Sequence, residues 1–268
     1  MEIEDLISVK QKLLVILDSR NAISYLNGSF NSKLDFDFAD NINFFETDII
    51  EVYCSVLSFT APNSIYIINE YNNKLCINVN GNINTYLFQY GNYNAQTFMN
   101  EFTKITGLMI SFNSITNTFT LTNNAPFSIL NTSNIYEIMG FAKNTNYSSI
   151  NNSLSLPFTC NFNGLMNINI VLDDVVTQNR DSFSGSVSSI IQNIPIDTNS
   201  TVIKFIKTND FCIPIKINSI NDFSISLKTD SNEYINLNNQ HFTLTLQFTI
   251  LKDISRFKLN FQNIIKNV

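Results

Sequence analysis

Between Asp222 and Leu251 apolar and polar residues alternate one by one. Phe223, Ile225 and Leu227 share one parity, with Ser224 and Ser226 on the other. After a polar stretch, Phe242, Leu244, Leu246, Phe248 and Ile250 alternate with Thr243, Thr245, Gln247 and Thr249. Side chains on a strand switch faces at every residue, so the pattern predicts two antiparallel strands, each with one buried and one wetter face. Similar runs stand at Leu13–Leu17, Leu34–Phe38, Ile49–Phe59, Leu165–Leu172, Val187–Ile194, Val202–Ile206 and Phe211–Ile217, separated by clusters of Asn, Ser, Asp and Gly. Leu34–Phe38 and Ile49–Phe59, taken with the six runs from Leu165 onward, predict eight strands. That is the number of an antiparallel jelly-roll sandwich.

The middle of the chain follows another rhythm. After short strands at Lys74–Val79 and Tyr86–Gln89, Phe98, Phe102 and Ile105 fall at helical spacing. Asn92 or Asn94 can cap that helix, and Gly107 fits the position just past its end. Met109–Phe112 and Thr118–Thr122 read as a hairpin, and Phe127–Leu130 as a short run. Ser133 or Asn134 can cap one last turn, Ile135–Phe141, stopped by Gly140. The expectation is an all-β jelly-roll made of residues 1–62 and 158–268, with a small α+β module, 63–157, inserted between its second and third strands. The tail fits either a short helix (Ile254, Phe257, Phe261, Ile264) or an extended arm.

Composition narrows the function. A hydrophobic fraction of 44% in 268 residues suffices for a core, while charge is sparse at 14% with a net value of −6. A general nucleic-acid binder needs a basic footprint, which this chain lacks. Ten acids lie between Glu2 and Glu51, and the segment after Ile250 is basic, an asymmetry that suits either contacts between subunits or solvated ends. Asparagine fills roughly one position in six, whereas Gly, Pro, Ala and Arg are scarce, the signature of an AT-rich genome. The acidic start is unlike a signal peptide, and no apolar run approaches the ~20 residues of a membrane span. Cys54, Cys76, Cys160 and Cys212 sit singly in apolar runs without a CxxC pair, which predicts four buried thiols and no zinc site.

Candidate chemistry is thin. A Ser-His-Asp or Cys-His arrangement would have to recruit His241, the single histidine. No phosphate loop or GxSxG elbow occurs. Asp35 and Asp37 share a strand face and, with Asp40, form the one calcium candidate, against the plainer reading of a solvent face. Asp173-Asp174 is a weaker case of the same kind. No catalytic residue and no cofactor is expected, and a chain this apolar without chemistry is expected to work through its surfaces. Tyr90, Tyr93 and Tyr147 would be the contact residues of a second reading, a viral spike or fibre head that binds a host receptor or glycan.

Three stretches resemble the minor capsid, or penton, proteins of virophages and Polinton-like viruses. They are Gly91-Asn-Tyr with the helix after it, Ile138-Met-Gly-Phe141 following a hairpin, and the closing strands Phe223–Leu227 and Phe242–Phe248. Leu17-Asp-Ser-Arg20 is similar to the opening of such proteins. The resemblance implies a single jelly-roll, not an enzyme, that forms homopentamers at the fivefold vertices of an icosahedral capsid. It further implies a double jelly-roll major capsid protein as neighbour, the module projecting or packing between subunits, and termini that touch capsomers or internal cement proteins.

Overall fold

In the computed structural model, residues 8–26, 30–43, 49–173, 175–177, 180, 188–197, 200–216 and 219–253 are described. The chain divides into a frame, Met1–Ile65 with Leu165–Val268, and an insertion, Tyr66–Gly164. The frame begins with Ser8–Asp18 (β1), Ser24–Leu26 (β2), Phe30–Asn43 (β3) and Ile49–Pro62 (β4). The insertion contributes Lys74–Val79 (β5), Asn82–Leu87 (β6), the helix Ala95–Thr106 (α1), Met109–Asn113 (β7), Thr118–Thr122 (β8), Phe127–Ile129 (β9), the short helix Tyr136–Met139 (α2), Tyr147–Ser148 (β10) and Ser153–Ser155 (β11). The frame resumes with Asn167–Leu172 (β12), Val176–Thr177 (β13), Ile190–Pro195 (β14), Val202–Ile206 (β15), Ile213–Lys216 (β16), Ser219–Lys228 (β17) and Thr243–Asp253 (β18).

The frame is a jelly-roll by connectivity. One antiparallel sheet runs β1-β18-β4-β16-β13, with β15 also on β4; the other runs β14-β12-β17-β3-β2. Lettered B to I along the chain, the strands are β1, β3, β4, β12, β14, the pair β15/β16, β17 and β18. The sheets then read B-I-D-G and C-H-E-F, the order of two interlocked Greek keys. The eight-strand expectation is corrected in two places that offset each other. Val202–Ile206 and Phe211–Ile217 are not two positions but one, because β15 and β16 both pair with β4. Leu13–Leu17, left out of the count, is the true first strand, so the insertion lies between the third and fourth strands.

Alternation places the core. Phe242, just before β18, and Leu244, Leu246, Phe248 and Ile250 on it are all buried, and Phe59 of β4 packs tilted against Phe242 at 5.6 Å between ring centroids. Partners in register, Val15 with Leu246 and Leu17 with Leu244, extend this layer to the edge strand β1. The facing sheet supplies Leu34, Ile168, Ile170, Leu172, Ile225 and Leu227. A bulge leaves Leu57 without a partner on β18, and its carbonyl accepts the Lys207 N–H at 2.8 Å. Burying a leucine at this depth contributes about 2 kcal/mol.

The insertion packs around one ring. Phe98, on the buried face of α1, has ring neighbours Phe88 (5.0 Å), Phe119 (5.6 Å), Phe162 (5.6 Å), Phe102 (6.1 Å) and Tyr93 (6.3 Å). Of the two caps the sequence allows, Asn94 starts the helix, exchanging hydrogen bonds with Thr97 at 2.9 and 3.0 Å. Asn92 instead accepts the Ile67 N–H at 3.1 Å. Neither Ser133 nor Asn134 caps α2: Ser133 Oγ accepts the Cys76 N–H and Asn134 Oδ1 the Lys74 N–H, so both serve the strand β5. The strands β10 and β11, two and three residues long and Ser-containing, add to the expected β9 and β8 and give no signal of their own in the sequence.

Candidate functional site

The catalytic candidates are spent on structure. Ser19, at the turn after β1, is fully buried. Its Oγ accepts the Phe242 N–H at 3.0 Å and lies 3.2 Å from His241 Nδ1. Its backbone N–H donates to the Phe242 carbonyl at 3.0 Å. Asp18 does not orient the imidazole. Arg20 clamps its carboxylate through Nε at 2.9 and 3.0 Å and through its backbone N–H at 3.0 Å. Those hydrogen bonds, led by the guanidinium, hold the Asp18 carboxyl down at about 2, while Arg20 itself is pushed upward by the same contact. Serine, histidine and aspartate thus meet at a joint that fastens the start of β18 to the end of β1. Fully buried and already accepting a backbone N–H, the Ser19 hydroxyl is closed to an outside substrate in this arrangement.

The calcium candidates separate. Asp35 is aligned with Ser24 on one side and Ser224 on the other, and accepts a hydrogen bond from Ser224 Oγ. Asp37 is exposed, in register with Asp222, and the side chain of Asp40 lies outside the described residues. Among the described residues no three His, Cys, Asp or Glu side chains converge. Asp173 accepts from the buried Ser226 Oγ and sits 3.7 Å from Lys228 Nζ, whose ammonium also lies 5.0 Å from the Tyr234 ring centre. Asp174 falls outside the described residues.

The other polar and aromatic candidates also face inward. Tyr93 donates its hydroxyl to the Gln89 carbonyl at 2.9 Å; Tyr147 accepts the Ala142 N–H at 3.1 Å and packs edge-on against Phe141. Only Tyr90 of the three tyrosines is exposed, so these three do not form an exposed aromatic cluster. Cys54 and Cys76 are buried but Cys160 and Cys212 are half-buried, which corrects the expectation of four buried thiols. Burial pushes the Cys54 thiol up to about 12. No helix among the described residues is long and apolar enough to cross a membrane.

The resembling motifs have definite structural work. Gly91 exchanges two backbone hydrogen bonds of 3.0 Å with Ile68, which with Asn92 and Tyr93 ties the first loop of the insertion to the start of α1. Gly140 follows α2 at φ +86, where a Cβ would lie 2.2 Å from the Phe158 carbonyl oxygen. Glycine alone fits.

Leu14, Ile16 and Ile23 are exposed at the β1–β2 side of the frame; Val202, Ile206 and Phe211 are exposed around β15. Beside β15 lies a cleft of about 260 Å³ lined by Ile190, Ile191, Phe205, Lys207, Phe211 and Ile213 among others. No sequence pattern announced these positions, because an apolar residue on the outer face of a strand looks like any other break in alternation.

No protein-family model and no curated protein sequence matches the chain. Among solved structures it is similar to the selenomethionine-labelled mavirus penton protein, with 13% identity over 90% of this chain and 99% of that one, at a TM-score of 0.44. At that distance the functional reading rests on the chain's own residues.

Proposed function

We propose that this protein is a structural capsid component, a penton subunit that assembles as a homopentamer at the fivefold vertices of an icosahedral virion beside a double jelly-roll major capsid protein. The observation that carries the reading is the frame itself. It is a B-I-D-G/C-H-E-F sandwich whose Ser, His and Asp side chains serve internal joints, while large apolar side chains stand exposed at both edges of one sheet. Surfaces of that kind are covered in a working assembly. Two of the stretches that resemble penton proteins, Gly91-Asn-Tyr and Ile138–Phe141, sit at joints that build the insertion, and the third is the closing pair of frame strands, which supports the same reading. In this role the insertion faces away from the shell or packs between subunits, and the chain ends reach neighbouring capsomers.

The test is assembly. Purified full-length protein, alone and co-expressed with a double jelly-roll major capsid protein from the same genome, should one be encoded there, is examined by native mass spectrometry and electron microscopy. Rings of five, or fivefold density at particle vertices, are expected. A chain that stays monomeric in both settings and is missing from the particles would overturn the proposal.

A further inference from the structure

The two edges of the B-I-D-G sheet carry matching groups at matching heights. Register aligns Ile16 with Thr245, Thr245 with Ser58, and Ser58 with Ile206. Ile16 and Ile206 therefore end one row across the sheet, 75% and 58% exposed. The next residues inward in sequence, Leu17, Leu244, Phe59 and Phe205, form a row on the core face. The row beyond runs Asp18, Thr243, Thr60 and Lys204, with an acid at one edge and a base at the other. Three strand spacings of ~4.8 Å set the two edges about 14 Å apart.

Both edges are open. Among the described residues β1 pairs with β18 alone and β15 with β4 alone. Three antiparallel pairings separate them, so β1 and β15 run in opposite senses. A rotation axis parallel to the strands keeps each row at one height and each strand in its own sense. The β1 edge of one copy then meets the β15 edge of the next antiparallel, with isoleucine opposite isoleucine and acid opposite base. Lys204 has no ion partner among the described residues, and Arg20 keeps Asp18 ionised for it. Such a head-to-tail contact closes into a ring, whereas β1 paired with β1 about a twofold axis stops at two copies.

Resting on the capsid reading above, we infer that the occupant of the exposed β1 edge is the β15 edge of a second copy, with Ile16 against Ile206 and Asp18 against Lys204. The contact belongs to the end of the sheet where β15 is the edge. Lower down, Lys10 and Lys12 stand at the height of β16, which β13 covers. The capsid reading names a pentamer; the contact specifies which residues close it.

The test uses full-length chains carrying Ile16→Lys, Ile206→Glu, or both, with thermal unfolding as a check on the fold, since both side chains point outward. Each single variant is expected to weaken ring formation at least about tenfold, and the double variant to restore it through the new opposite charges. In a second arm, Ile16→Cys with Ile206→Cys in one chain gives a disulfide ladder up to five copies under oxidation, which either cysteine alone does not. Wild-type rings that persist in both single variants, with no ladder, overturn this interface and leave the capsid reading standing. A wild-type chain that forms no ring and enters no particle removes both. Loss of rings with Ile16→Lys but not with Ile206→Glu would mean that β1 meets a surface other than the β15 edge, and also overturns the inference.

Discussion

The frame and the insertion are both β-rich, yet they are held in different ways. The frame's core is chiefly aliphatic and spread over two sheets, each buried side chain aligned with an equivalent on the next strand. The insertion converges on Phe98 and on a few fixed backbone points: the Asn94 cap, the Gly107 and Gly140 stops, and asparagines at positive φ. A periodic core repeats its information at every second residue, so one substitution thins it. A core with a hub concentrates its information, so one substitution at the right point removes it.

That contrast can be broken or sharpened in order of expected effect. Gly140→Ala puts a methyl group into the Phe158 carbonyl at a positive φ, and is expected to cost about 5 kcal/mol, confined to the insertion. Hydrogen exchange should show residues 66–164 losing protection while β4 and β18 keep theirs; equal loss in both would break the distinction. Phe98→Ala removes the hub and should cost about 4 kcal/mol by chemical denaturation. Leu246→Ala should cost about 3 kcal/mol, with protection falling across both frame sheets together. A response limited to β18 would mean the frame is not one cooperative layer.

Smaller effects follow. Asn94→Ala deletes the side-chain half of the capping box, the bond accepted from the Thr97 N–H, and should cost about 1 kcal/mol, read as a shifted midpoint for the insertion. Asp18 titrates in the folded chain at about 2, below the roughly 3.9 of an unfolded aspartate. Its stabilising contribution is therefore present above pH 4 and lost as pH falls toward 2. Because the pair with Arg20 is exposed, Arg20→Ala should lower the unfolding midpoint only slightly at pH 7, a difference that closes on acidification. A gap that stays constant down to pH 2 would assign the loss to packing of the guanidinium instead.

How much the sequence revealed follows the same division. The strand around Leu246 was legible because five apolar residues alternate without a break, and α1 because its cap, apolar face and terminal glycine agree. The first strand is not set apart by alternation, because Leu13, Leu14, Val15, Ile16 and Leu17 form a solid apolar run, with Leu14 and Ile16 exposed on its outer face. The interruption between β15 and β16 was read as two strands because pairing to a common partner is a long-range fact. Ser133 and Asn134 looked like helix caps and proved to be acceptors for β5, a bond made across 57 and 60 residues of chain. The joint of Ser19 with His241 spans 222 residues and leaves no local trace. The surface candidates were the least legible, since exposure is decided by the neighbours a strand lacks.

All eight described non-glycine residues at positive φ are asparagines, among them Asn117, Asn151, Asn152, Asn238 and Asn239. Asparagine tolerates the left-handed region because its short amide can hydrogen-bond locally. A genome drifting toward A and T can therefore exchange glycine codons for asparagine at such turns while the backbone stays put. Recognition by sequence decays under that drift, because glycines are the letters by which turns are usually aligned. Gly140 is the counterexample: the Phe158 carbonyl leaves no space for any Cβ, so nucleotide bias has nothing to trade there. In a lineage of such chains the erodible glycines and the fixed one would part company, and the fixed ones would be the anchors for finding distant members.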